Sequence, residues 1–92
     1  MNHEADPVGT LADALAHAAR LLEGQPRLAV EQAEEVLKLI PGQPAALLLR
    51  ALAKRALGAA EEALSLLQSL SSAEPGFALA HCELGVTLRG LA

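Results

Sequence analysis

The sequence predicts an all-α chain of short antiparallel helices, and three observations carry that expectation. Hydrophobic residues make up 52% of the chain but aromatics only 1%, so the apolar content is mainly alanine and leucine, both strong helix formers. Val, Ile and Thr are scarce, and no β-branched run argues for a strand. Proline and glycine recur at spacings that cut the chain into segments of helical length.

Residues 1–9 (MNHEADPVG) are polar and acidic and are expected to form a flexible tail. Leu11 to Glu23 reads as the first helix, with Gly24 adopting the left-handed conformation that closes it. Pro26 suits the first turn of a second helix, where no N–H is needed, and that helix runs to about Leu39. Pro41-Gly42 stops it and turns the chain. Pro44 opens a third helix that runs to Leu57, and Gly58 closes it. A fourth starts at Ala59 or Ala60 and runs to about Ser72. Its Glu61 and Glu62 favour the positive end of the helix dipole. Glu74-Pro75-Gly76 ends it, and a fifth runs from about Ala78 toward Gly90. The plan is two helix pairs and one half pair.

These signals repeat. Gly24 and Gly58 lie 34 residues apart, as do Ala29 and Ala63, Pro41 and Pro75, and Gly42 and Gly76. Ala12/Ala46, Leu15/Leu49 and Ala19/Ala53 keep the same offset, and so do Ala46/Ala80 and Arg55/Arg89. An alanine-rich chain gives accidental alanine matches, but paired glycines and paired Pro-Gly dipeptides are harder to obtain by chance.

A 34-residue helix–turn–helix period, with this punctuation, resembles the tetratricopeptide repeat, in the Ala/Leu-rich form of bacterial proteins. The matching residues are Gly58, Ala63-x3-Leu67 and Pro75 in the second repeat, Gly24, Ala29-x3-Ala33 and Pro41 in the first, and His81-x2-Leu84-Gly85-x2-Leu88 at the start of a third. The resemblance implies an α-solenoid of about two and a half repeats (10–43, 44–77 and a partial 78–92), following the tail. No aromatic fills the motif's aromatic positions: Asp13 and Leu47 stand at its Trp position, Arg20 and Lys54 at its first Tyr position. Small residues remain at Ala29, Ala63 and Gly85, where helices must approach closely. Tight packing with little area buried per residue, and modest stability, are the expectation. Phe77, Leu79, Cys82, Leu84, Val86, Leu88 and Leu91 make the fifth helix apolar around much of its circumference. Such a helix is a poor cap, so the chain is expected either to be a piece of a longer protein or to have that face covered by another copy or another chain.

Composition excludes several functions. The 92 residues suffice for one small domain, marginally stable at that size. A formal net charge of −4 argues against a nucleic-acid partner, which needs a basic face, and stacking aromatics are lacking. No apolar run reaches the ~18 residues of a membrane span, and residues 1–9 lack the basic start and apolar stretch of a signal peptide. Cys82 is the single cysteine, so no intrachain disulfide forms. A cytoplasmic protein is expected.

Catalytic constellations are missing. His3, His17 and His81 show no H-x3-H spacing, and there is no C-x2-C, so a zinc site is not expected. His81 and Cys82 are adjacent, about 100° apart on a helix, which leaves their side chains divergent. Gly24, Gly42, Gly58 and Gly76 are spaced as helix ends, not as a phosphate cradle. Glu34-Glu35 and Glu61-Glu62 read as a solvated outer face. No enzyme activity and no cofactor are expected.

The resemblance instead implies a concave groove lined by the first helix of each repeat. Its inward residues are Leu11, Ala14, Ala18 and Leu21, then Ala45, Leu48, Leu52 and Arg55, then Leu79, Cys82, Val86 and Arg89. The binding surface is assigned to Leu48, Leu52, Arg55, Leu79, Cys82, Val86 and Arg89. It is mostly apolar, with two arginines suited to the acidic flank of a bound peptide or helix. The Lys/Asn clamp of chaperone-tail binders is replaced by Ala14 and Ala18. The expected role is a non-catalytic module for a protein or peptide partner. The alternatives are a homodimerising assembly element and the N-terminal repeat region of a longer enzyme, such as a tetratricopeptide-containing sulfotransferase.

Overall fold

Five helices make up the computed structural model, in which residues 7–91 are described: α1 (Pro7–Gly24), α2 (Pro26–Leu39), α3 (Pro44–Ala56), α4 (Ala60–Ala73) and α5 (Ala78–Leu91). No strand occurs among the described residues. Residues 1–6 of the expected tail lie outside the described residues, and Pro7 to Gly9 belong to α1, which begins at Pro7, whose fixed φ suits a first helical position.

The connections follow from local chemistry. Only one closing glycine is left-handed. Gly58 has φ +93°, and around it the Gly58 N–H donates to Arg55 O and the Ala59 N–H to Lys54 O, both at 3.0 Å. That pair of bonds is the glycine-closed helix end that satisfies orphan carbonyls. Gly24, expected to do the same, does not. It stays within α1, and the Gln25 N–H still donates to Leu21 O at 2.8 Å. Here the stop comes from Pro26. A proline disfavours the α conformation in the residue before it, and Gln25 accordingly sits at φ −139°, ψ 64°. A single residue then joins α1 to α2.

The two Pro-Gly dipeptides build the same turn twice. The Gln43 N–H donates to Ile40 O at 3.1 Å, and, 34 residues on, the Phe77 N–H donates to Glu74 O at 3.0 Å. Neither Gly42 nor Gly76 has positive φ, as expected of the turn with both central residues on the right-handed side. Gln43 then caps α3, its Oε1 accepting from the Ala46 N–H at 2.8 Å. Glutamine is not among the favoured capping residues, so this cap is not legible from residue type.

Consecutive helices pack against each other, and α1 also contacts α3. α2 thus packs against both α1 and α3, α4 packs against both α3 and α5, and α3 reaches α5 through the Arg55 side chain. The result is elongated, 51 × 29 × 18 Å. Among the described residues, eight of the thirteen buried hydrophobic residues are alanine, and Leu67 is the only large side chain that is fully buried. Leu48, Ala51, Leu67, Leu70 and Ala80 form the main cluster, with Leu47, Leu52, Leu66, Phe77 and Leu84 against it. A second cluster joins Ala29, Val30 and Ala53, with Leu21 and Leu22.

Leu67→Ala is expected to lower unfolding free energy by about 2–5 kcal/mol in urea denaturation, because a leucine-sized void opens at the centre of the larger cluster. Gly58→Ala is expected to cost about 1–2 kcal/mol from its left-handed backbone, whereas Gly24→Ala, inside α1, is expected to be neutral or stabilising by less than about 1 kcal/mol.

Candidate functional site

The residues assigned to a groove separate into two groups. Leu48 is 4% exposed and belongs to the main core cluster, against which Leu52 packs half-buried. Ala18 is fully buried, while Leu11, Ala14, Leu21 and Ala45 are half-buried. These positions are framework, and Leu48 in particular offers nothing to a partner. Leu79, Cys82, Val86 and Arg89, by contrast, are all exposed. They lie on α5 at i, i+3, i+7 and i+10, the spacing that places side chains on one stripe of a helix.

Arg55 is engaged within the chain. Its guanidinium donates to Glu83 Oε1 at 2.8 Å and to Thr87 Oγ1 at 2.9 Å, with a longer bond of 3.4 Å to the Glu83 carbonyl. The Arg55 and Glu83 side chains are 29% and 22% exposed. Thr87 Oγ1 also donates back to the Glu83 carbonyl at 2.8 Å. This clasp ties the last turn of α3 to the middle of α5, so Arg55 orients α5 instead of presenting a free cation. Glu83 and Thr87 are its missed partners. Their one-turn spacing on a helix, 28 and 32 residues beyond Arg55, was the available signal.

The remaining charge on α5 is Arg89, which forms no ion pair among the described residues. His81 Nε2 lies 2.9 Å from the Pro75 carbonyl, a contact in which the ring donates. The imidazole is thereby held at the start of α5, and Cys82 beside it is an exposed free thiol. His17 is exposed on α1. Among the described residues, no group of three His, Cys, Asp or Glu side chains could hold a metal ion, and no helix is long and apolar enough to cross a membrane.

Sequence reading missed a cleft between α3 and α4, lined by Leu47, Arg50, Leu66, Ser69, Leu70 and Ala73. Arg50 Nε is buried there without a hydrogen-bond partner. The walls are otherwise apolar apart from the Ser69 hydroxyl, and no acid stands beside Arg50 in the lining.

No protein-family model matches the chain, and no curated protein or solved structure shows significant similarity to it. The surface of α5 is therefore the basis for a functional reading. Among the described residues, four of the eight large hydrophobic residues that stand exposed are on this one helix: Leu79, Val86, Leu88 and Leu91.

The Arg55 clasp sets how rigidly that surface is held. Charge-assisted bonds to half-shielded groups are worth about 1.5–3 kcal/mol, reduced here by solvent access. Arg55→Ala is expected to destabilise the chain by about 1–2 kcal/mol and to speed amide exchange in α5 more than in α2. In a double-mutant cycle with Glu83→Ala, a coupling of about 1 kcal/mol is expected. Arg55→Lys should restore less than half of it, because an ammonium cannot reach both acceptors as a planar fork does.

Proposed function

We propose that this chain is a non-catalytic protein–protein interaction module, a tetratricopeptide-like array that presents the exposed stripe of α5 to an apolar or amphipathic segment of a partner. One observation carries the reading. Leu79, Cys82 and Val86 are exposed together along one face of a helix whose adjoining, core-facing side holds buried Ala80 and Thr87. Apolar surface concentrated in this way on a small domain marks an interaction site. Arg89 at the end of the stripe suits an acidic residue flanking the apolar segment. The 34-residue recurrence of helix-ending glycines and Pro-Gly turns supports the repeat reading, with α1, α3 and α5 as the helices that line the concave side.

The concentration of exposed apolar residues on α5 favours one second reading, a twofold dimer through the same helix. The Cys82 thiol reports on both. Peptides selected from a random helical library against the immobilised chain are expected to slow labelling of Cys82 and to lose at least about tenfold in affinity on Val86→Glu. If no retained peptide depends on Leu79 or Val86, the module reading fails. Sedimentation velocity separates the second reading: a dimer that grows with concentration, protects Cys82 without any peptide, and vanishes in Val86→Glu makes assembly the function.

A further inference from the structure

The cleft between α3 and α4 opens in the middle of the array, with α2 packed on α3 and α5 packed on α4. One face of each helix walls it: Leu47 and Arg50 on α3, and Leu66, Ser69, Leu70 and Ala73 at i, i+3, i+4 and i+7 on α4. Arg50 is the one charged residue in this lining. It is half-buried, and its Nε is buried without a hydrogen-bond partner. Among the described residues, no ion pair or side-chain hydrogen bond engages its guanidinium. The next two cations of α3 behave differently: Lys54 pairs with Glu62 and Arg55 with Glu83. Helix packing does not call for a cation at this position. Its counterparts 34 residues away are Ala16 and Leu84, and Leu84 packs against the main core cluster. The first repeat carries an acid, Glu35, where Ser69 stands, and no cation; the second carries the cation without the acid. A guanidinium N–H that is buried and unpaired is unfavourable until an acceptor reaches it. Nε and the adjoining Nη present two parallel donors, the fork that fits a carboxylate.

We propose that this cleft is a binding site for a small free monocarboxylic acid with a compact, branched apolar body. The carboxylate lies on the Arg50 fork, and the body lies between Leu47, Leu66 and Leu70. Charge selects the head group. One cation among apolar walls matches one negative charge, whereas a phosphate dianion would leave charge and lone pairs unmet. Volume selects the body. The cleft holds about 190 Å³, and a cavity of roughly 150 Å³ takes a benzene ring, so a body of about five or six carbons fits and a helix does not. Ser69, exposed at the rim, offers its hydroxyl as a further donor to the carboxylate. The cleft is a different surface from the Leu79, Cys82 and Val86 stripe, and the proposal stands or falls separately from the module reading.

The test titrates the intact, isotope-labelled chain with isocaproate and follows its backbone amides by NMR. Saturable shifts centred on the α3 and α4 amides around Arg50 and Ser69 are expected, with a Kd of about 1 mM or tighter. Isocaproamide, which has the same body without the charge, is expected to bind at least about tenfold more weakly. Arg50→Gln is expected to cause a similar loss. So is Ser69→Leu, which raises helix propensity while filling the cleft, with far-UV circular dichroism unchanged. Val86→Glu, on the α5 stripe, is expected to change nothing. Absence of saturable binding overturns the proposal, as do shifts centred away from α3 and α4. Equal binding of isocaproamide, or undiminished binding to the Arg50→Gln chain, means an apolar cleft with no carboxylate site and overturns it. Inorganic phosphate binding as tightly as isocaproate reduces the site to general anion attraction and also overturns it. Tighter binding of N-acetyl-leucine than of isocaproate assigns the cleft to a peptide chain end and overturns the free-acid proposal. Should Arg50→Gln fail to fold, Ser69→Leu and the amide comparison decide the matter.

Discussion

Close approach of helices through alanine is the constraint on which the rest of this structure depends. With aromatics at 1% of the chain, no bulky side chain holds neighbouring helices apart. Ala18, Ala29, Ala33, Ala46, Ala51, Ala53, Ala63 and Ala80 are all fully buried. Each buries little area, so no single contact dominates, and cohesion comes from many backbones brought near one another. Such interfaces tolerate enlargement poorly, because added methylenes must displace a helix. Leu67 is the exception in size, and it is the pivot of the cluster that joins α3, α4 and α5.

The same constraint explains why α5 is both well held and exposed. Its inner side meets the core through Ala80 and Leu84, and the Arg55 clasp fixes its rotation. A helix positioned from one side only, with apolar residues on the others, is a rigid platform for recognition. Its residues need little ordering when a partner binds, which keeps the entropic cost of association low. The surface proposed for recognition therefore depends on an ion pair outside the Leu79, Cys82 and Val86 stripe.

Glycine at a 34-residue spacing does not act alike at each occurrence. Gly24 and Gly58 share a repeat position, yet only Gly58 is left-handed. The difference lies two residues further on, where Pro26 stands in one case and Ala60 in the other. Pro26 ends α1 by restricting Gln25, so the glycine-closed end is not needed. Ala59 keeps an N–H that reaches back to Lys54 O, and the closed end forms. A repeat in sequence is thus a repeat of positions, while the neighbouring residue decides the conformation.

The sequence by itself determined the helical class, the number of helices and most of their limits. Those features are local: alanine and leucine propensity, proline geometry and the Pro-Gly turn act within a few residues. It also marked α5 as unusually apolar and placed Leu79, Cys82, Val86 and Arg89 on one stripe, because helical periodicity is fixed by geometry. Only the tertiary structure decided that Leu48 is core and that Arg55 is engaged by Glu83 and Thr87. Burial and ion pairing depend on which helix lies beside which, and Arg55 meets a residue 28 positions away that no local pattern connects to it. The exposure of α5 on both flanks was settled at the same level, since a helix is covered or bare only in relation to its neighbours.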